Sequence, residues 1–325
     1  MIELVLGTLD LAKVWFARSP MEELRNSVYV LAGRRGGDLH RPWVTMARSR
    51  LAGVDLTVLC SLLSIDHGFP GFMNPLTRAG ETFGEQLERV RATDAAGVRC
   101  YFDEVWAPAE IPPVLRPLHD DPERALGPFC DLLGEYWRAA IEPVWPRLCS
   151  LHEADFAHRS ATLTSGGLAR LFDDLHPQLE YAGDRLRVLL PHHDVRHTVN
   201  GVGVLLKPSA FIWPRISVCD GRDQVSIGYP ARGVGRLWET APAVARAPLA
   251  DLVGRSRAAL LALLDLPRST TELAEQLGVT AATVSEHLAV LRLNNLVRSR
   301  RVGRVVLYER TPRGAGLLHD DSAVP

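Results

Sequence analysis

The chain has 325 residues with 37 Lys and Arg against 38 Asp and Glu, a formal net charge of −1, and is 46% hydrophobic and 23% charged. That balance suits a soluble globular chain with room for one large or two ordinary domains, and it excludes global disorder and any grip on nucleic acid through overall charge. No apolar run approaches the roughly 18 to 20 residues that span a bilayer, and the first residues lack a basic-then-apolar signal pattern, so a cytoplasmic chain is expected. The five cysteines, Cys60, Cys100, Cys130, Cys149 and Cys219, are scattered without a Cys-x-x-Cys pair and read as reduced core thiols.

In chain order, Ile2 to Leu6 is compatible with a strand. Ser19-Pro20 followed by Glu22-Glu23 opens a helix, with a serine cap, a proline in the first turn and acids at the positive end. That helix is expected to run to about Leu31. Leu51 to Leu63 is apolar and helical in length, and Gly68 to Pro75 is a loop. Phe83 to Ala92 and Gly127 to Leu151 are further expected helices, the second interrupted at Pro143 and Pro146. Leu163 to Leu175 is another, with Gly166-Gly167 inside it.

After Pro177 the pattern turns to strands. Leu179 to Ala182 and Arg185 to Leu190 flank the turn Gly183-Asp184. Val202 to Leu206, Phe211 to Val218 and Gln224 to Tyr229 follow with short connections, which predicts an antiparallel sheet. The fold class expected is α+β: a large N-terminal domain of helices and antiparallel sheet over 1–247, a smaller domain over 248–318 and a tail over 319–325. Pro230 to Pro248, rich in Ala, Pro and Gly, forms the connection, and a helix from about Leu249 to Leu264 opens the second domain.

The second domain has the more specific pattern. Ser269-Thr-Thr-Glu272 has capping-box spacing, so a helix starts at about Thr270 or Thr271, and Leu273, Ala274 and Leu277 supply its apolar face before Gly278 stops it. Thr280 caps a second helix, whose buried stripe is Val284, Leu288 and Leu291 at i, i+4 and i+7. The short turn between them is that of a helix-turn-helix. Asn294-Asn295 ends the second helix. Val297 to Arg301 and Val305 to Arg310 then alternate as a hairpin with Val302-Gly303-Arg304 at its tip. From 292 to 313 there are seven arginines and one acid, Glu309. Local positive charge of this kind suits phosphate contact.

Leu260 to Asp265, Ser269 to Val279, Thr283 to Leu291 and Leu296 to Tyr308 together resemble the winged helix-turn-helix domain of ArsR-type (ArsR/SmtB-like) bacterial transcriptional regulators. The resemblance covers about 60 residues and implies a homodimeric repressor on an inverted-repeat operator in double-stranded DNA, released by a ligand. By position it makes Thr283, Ser285, Glu286 and His287 the base-facing candidates and puts Arg301 and Arg304 on the wing; the helix-capping Thr280 and, from the local cluster of charge, Arg292, Arg298 and Arg300 complete the candidate DNA contacts. Metal-sensing members carry cysteines in the helix that here reads Glu272 to Leu277, and there are none. His319, Asp320 and Asp321 likewise lack a second histidine at the family's other site. No metal and no cofactor are expected, and sensing is assigned to the front of the chain.

The front is similar to an uncharacterised domain fused to ArsR-type winged helices in some bacterial regulators. The matching pieces are Phe16 to Pro20, His40 to Trp43, Tyr136-Trp137 with Trp145-Pro146, Phe211 to Arg215 and Tyr229 to Gly235. That resemblance implies no activity. All seven tryptophans precede the winged domain, and aromatic-lined pockets commonly hold small organic ligands. Trp137, Trp145 and Trp213 are therefore candidates for contact with an organic effector. No catalytic residue stands out, and no enzyme is expected. His192, His193 and His197 are the densest set of potential ligands and would support a metal-dependent hydrolase with a fused regulatory module. A front domain that binds another protein at the promoter without a small ligand is the other alternative.

Overall fold

The computed structural model describes the chain except residues 37, 64–68, 108–109, 191–193, 222, 239–248, 250–251, 265–266, 278, 303–304 and 319–325. The chain divides into one unit of Met1–Trp145 with Asp155–Val234 and a second of Pro146–Ala154 with Gly235–Pro325. The domain limit expected at 247/248 and the tail after 318 lie outside the described residues.

The first unit contains β1 (Ile2–Val5), α1 (Thr8–Leu11), β2 (Val14–Phe16), α2 (Pro20–Leu31), α3 (Arg41–Arg50), α4 (Thr57–Ser61), α5 (Phe83–Arg91), α6 (Ala95–Val105), α7 (Arg116–Asp120) and α8 (Pro122–Tyr136). A short π-helical stretch, Trp137–Ile141, and a 3-10 turn, Glu142–Val144, lead into α9 (Trp145–Asp173). The break falls beside Pro143, whose ring and missing N–H end a regular helix. Within α9, Gly167 has φ 68° and kinks the helix, where the sequence pattern expects a helix running through. Strands β3 (Leu179–Ala182), β4 (Arg185–Val188), β5 (Val195–Thr198), β6 (Val204–Ser209), β7 (Ser217–Asp220) and β8 (Val225–Pro230) complete it.

These strands make two four-stranded sheets, ordered β3-β4-β1-β5 and β2-β6-β8-β7. Both are mixed, which corrects the antiparallel expectation. β1 pairs antiparallel with β4 but parallel with β5, and β6 runs parallel to both β2 and β8. The cause is insertion: β1 and β2 come from the first sixteen residues and pair with strands nearly 200 positions later, which local turn signals do not report. A single core joins the sheets to the end of α9, with Leu4, Phe172, Leu186, Leu206, Ile227 and Tyr229 fully buried.

Local chemistry explains most helix starts. Ser19 Oγ accepts from the Glu22 amide, Pro20 occupies the first turn and two acids follow. Thr82 and Glu85 form a capping box on α5, and Asp94 accepts from the Gly97 amide at α6. Two expectations fail for local reasons. Leu51 to Leu63 is not one helix: the chain turns at 51–54, and Asp55 accepts from the Thr57 amide at 2.9 Å, holding that turn at the start of the short α4. Phe211 to Val218 is not one strand: residues 211–214 turn, and Pro214 has no N–H for a ladder. No described helix is long and apolar enough to cross a membrane.

His40 precedes α3, has no exposed surface and lies 4.9 Å from the Phe211 ring centroid. Burial lowers its pKa from the ordinary 6.5 to about 4, against the opposing pull of Glu23. The folded chain therefore refuses a proton that the unfolded chain binds below about pH 6.5. This contribution to stability is complete above the unfolded pKa and is lost as pH falls through the folded one. From pH 7 to pH 4 the loss expected from this group is about 3 kcal/mol. Urea unfolding at several pH values should show a flatter dependence for His40→Gln than for the parent chain, and parallel curves would dismiss the assignment.

Candidate nucleic-acid interface

The second unit is built on α10 (Arg255–Leu263), β9 (Arg268–Ser269), α11 (Thr270–Leu277), α12 (Ala281–Leu293), β10 (Val297–Val302), β11 (Val305–Arg310) and α13 (Pro312–Gly316). Hydroxyl side chains cap the starts of α11, α12 and α13. Ser269 Oγ accepts from the Glu272 amide at 3.3 Å while Glu272 accepts from the Ser269 amide at 2.7 Å, the reciprocal box expected at the start of α11. Thr280 Oγ1 accepts from the Thr283 amide at 3.2 Å and starts α12. The turn residue Gly278 lies outside the described residues.

Val284, Leu288 and Leu291 of α12 are buried against Leu260, Leu261 and Leu264 and against Leu273 and Ala274 of α11. The end of α12 is a Schellman turn: Asn295 has φ 55°, its amide donates to Arg292 O, and the Leu296 amide donates to Leu291 O at 2.9 Å. That geometry turns the chain directly into β10, which pairs antiparallel with β11 along its full length. β11 also pairs with β9, so the wing is a three-stranded sheet.

The stripe that buries α12 leaves the recognition candidates on the other side. Thr280, Ser285, Glu286 and Arg292 are exposed, and Thr283 and His287 are partly exposed. Thr280 serves first as a cap, and its hydroxyl lies 2.9 Å from that of Thr283. The wing arginines divide by strand face. Arg298 and Arg300 share one face, and Arg301 stands on the other opposite Val306. Arg298 Nε lies 2.8 Å from Glu309 Oε1 directly across the hairpin. Arg300 Nη1 lies 3.0 Å from Glu153 Oε2 and its guanidinium also donates to Glu153 O. Arg304 lies outside the described residues.

Sequence reasoning missed Glu153 and the short strand β9. A contact 147 positions away has no local signal. It also missed α13, although Thr311-Pro312 has the cap-then-proline pattern that opens helices. Thr311 Oγ1 accepts from the Gly314 amide and donates to Asn295 O at 2.6 Å, fastening the last helix to the turn after α12.

In the first unit, Trp137 is buried, stacked on Phe83 at 4.4 Å with its edge toward Trp145 at 5.1 Å. Trp213 is 44% exposed in the turn after β6. The three candidates therefore do not share one aromatic cage through these contacts. His197 lies on β5 beside Leu4, while His192 and His193 are outside the described residues. Among the described residues no group of three or more His, Cys, Asp or Glu is placed to hold a metal ion. A cleft of about 390 Å³ opens beside the α9 kink, where Asp174 pairs with His158 at 3.1 Å and with Arg159 at 2.6 Å.

Helix pair, recognition-helix cap and basic hairpin in this order define a winged helix-turn-helix domain. Residues 255–300 match the family model of a helix-turn-helix domain. Over 49 residues the chain is 51% identical to the HTH-type transcriptional regulator KmtR of Mycobacterium tuberculosis (strain ATCC 25618 / H37Rv). That stretch is 15% of this chain and 38% of the regulator, so the chain spans well under half the length of the curated relative it matches. No solved structure matches the chain. The C-terminal segment is a helix-turn-helix domain of the ArsR type.

Gly314 tests how the domain is closed. A Cβ built there would lie 2.1 Å from Leu296 O, a backbone atom that cannot swing away. Gly314→Ala is expected to cost about 1–3 kcal/mol, the range of overpacked sites, read as a lower thermal midpoint. An unchanged midpoint would show that α13 is not docked on the α12 turn.

Proposed function

We propose that the protein is a sequence-specific DNA-binding transcriptional regulator, acting as a dimeric repressor on an inverted-repeat operator, with an organic effector sensed by the first unit. The observation that carries this reading is the capped helix α12, which buries one stripe and leaves Thr283, Ser285 and Glu286 beside a wing bearing Arg298, Arg300 and Arg301. Early residues of a recognition helix meet base edges, and wing cations meet phosphates. Similarity to a segment of a curated transcriptional regulator supports it.

Two copies would present recognition helices about 34 Å apart, one turn of DNA, so a small change in that spacing on effector binding weakens the complex. The first unit is read as sensory rather than catalytic. Selecting genomic fragments with the purified chain tests the reading: recovered sites should share a symmetric sequence, and enrichment of no common sequence would defeat specific recognition.

Electrostatics give a sharper check. Arg301→Ala should weaken binding to all DNA alike and reduce the slope of log affinity against log salt by about 0.9, the increment for one phosphate that is no longer neutralised. Glu309→Gln should act oppositely, because it removes the carboxylate that holds Arg298 and an acid from the wing. Fluorescence anisotropy at several salt concentrations measures both, and equal slopes in all three proteins would take the wing out of the interface.

A further inference from the structure

A cleft of about 390 Å³ in the first unit is lined by His158, Thr162, Arg170, Asp173, Asp174 and Arg232. It exists because α9 does not run straight. Arg159 donates to Asp174 Oδ2 at 2.6 Å and to Asp174 O at 2.8 Å, whereas the same sequence separation in a continuous helix would put the two residues about 22 Å apart. Gly167, at φ 68° and ψ −170°, supplies a backbone conformation that glycine alone adopts readily, and it folds the end of the helix back beside its middle. Gly166 gives Arg170 its path across the fold, since a Cβ there would lie 2.3 Å from Arg170 Cδ and 2.7 Å from Arg170 Cβ. His158 and Thr162 line one arm, Arg170, Asp173 and Asp174 line the other, and Arg232 closes the cleft from the turn after β8.

The polar groups here fall into two sets. Some are committed: Asp174 accepts from Arg159, and the buried Asp155 accepts from the Tyr229 hydroxyl at 2.6 Å and the Arg232 amide at 3.0 Å. Others keep their hydrogen-bonding capacity. Arg170 and Asp173 stand three positions apart on one helical segment, a spacing of about 5–6 Å between Cβ atoms at which opposite charges can pair. Neither side chain makes a hydrogen bond or ion pair with any described residue, and both line the cleft instead. The Arg232 guanidinium has only His158, at 2.7 Å from Nε2, and that nitrogen also lies 3.1 Å from Asp174 Oδ2. An imidazole nitrogen either donates or accepts, so Nε2 cannot serve both neighbours. The lining thus offers two guanidinium groups and one carboxylate to a ligand, with two arginines balanced by two aspartates. A simple anion would meet as many acids as bases, whereas a ligand that carries an acid and an amine together satisfies both.

We propose that this cleft binds an α-amino acid, with its carboxylate on Arg170 and Arg232 and its ammonium on Asp173. This rests on the reading of the first unit as the sensing part, and it names the chemical class sensed. The probes are the common amino acids, titrated singly into the full chain by calorimetry at constant ionic strength. The tightest is then compared with its deaminated acid and its decarboxylated amine, each of which carries one of the two charges. Saturable binding of at least one amino acid is the expected result, weakened at least tenfold in both analogues and in each of Arg170→Gln, Arg232→Gln and Asp173→Asn. All three side chains are exposed, so the variants keep the fold, and circular dichroism checks each. Binding of no amino acid, binding unchanged in any of the three variants, or an analogue that binds as tightly as its amino acid overturns the site. Affinity for the selected DNA fragments is measured separately: an amino acid that binds and changes it supports the site as the sensor, and one that binds without changing it supports the site while removing its effector role. Failure of the amino-acid titrations leaves the fragment selection unaffected.

Discussion

Two adjacent carboxylates with almost no exposure, Glu22 and Glu23 at the start of α2, set the terms on which the first unit folds. An unpaired buried carboxylate would take up a proton or unfold the region. Instead each has a full set of donors drawn from distant parts of the chain: Lys207, Ser209 and the 210–211 amides from β6 and its turn, Ser217 from β7, and Arg25 and Asn26 from the same helix. Satisfying them fixes α2 against the β2-β6-β8-β7 sheet in one register, because a one-residue slip would strand both charges. Gly228 on β8 is part of the same requirement.

The second unit takes its shape from its helix caps. α12 has its stripe in the core, and its two ends decide where its outer residues point. Thr280 starts it, and the Schellman turn at Asn295 ends it and delivers the chain into β10. Thr311 then binds the carbonyls of Asn295 and Leu296, so the helix end, the wing and α13 share one small knot of backbone bonds. The exposed face of α12 and the base of the wing are thereby held in fixed relation within this unit.

Much of the second unit was legible because its determinants are local. A capping box, an N-cap threonine and an i, i+4, i+7 stripe all lie within a few residues of the elements they define, and Ser269–Glu272, Thr280 and Val284–Leu288–Leu291 behave as their spacing predicts. In the first unit, α2, α5 and the β3–β4 hairpin were legible for the same reason. The mixed sheets were not, since β1 and β2 find partners nearly 200 residues away, and neither was the buried pairing of Glu22 on α2 with Lys207 on β6. Lys207 illustrates the point: a lone lysine in an apolar strand shows nothing of its role until Glu22 is placed beside it.

The wing adds a constraint that an arginine count conceals. Positive charge attracts phosphate only to the extent that it is not already answered, and Arg298 and Arg300 have acidic partners within the second unit, Glu309 across the hairpin and Glu153 in the Pro146–Ala154 segment. The more exposed Arg298–Glu309 pair is worth little in water, so a phosphate would compete with it readily, whereas Glu153 is buried and its pair with Arg300 is given up at greater cost. In the proposed complex that exchange costs the same on any duplex, so it lowers affinity for all DNA by a common factor. On a duplex without the right bases, phosphate contacts supply nearly all the binding energy, and exchange of an internal carboxylate for an external phosphate gains little. Where base contacts from α12 also form, the same exchange is a small fraction of the total. Partly neutralised arginines thus temper raw affinity without adding discrimination, which in the proposed complex has to come from the exposed side chains of α12.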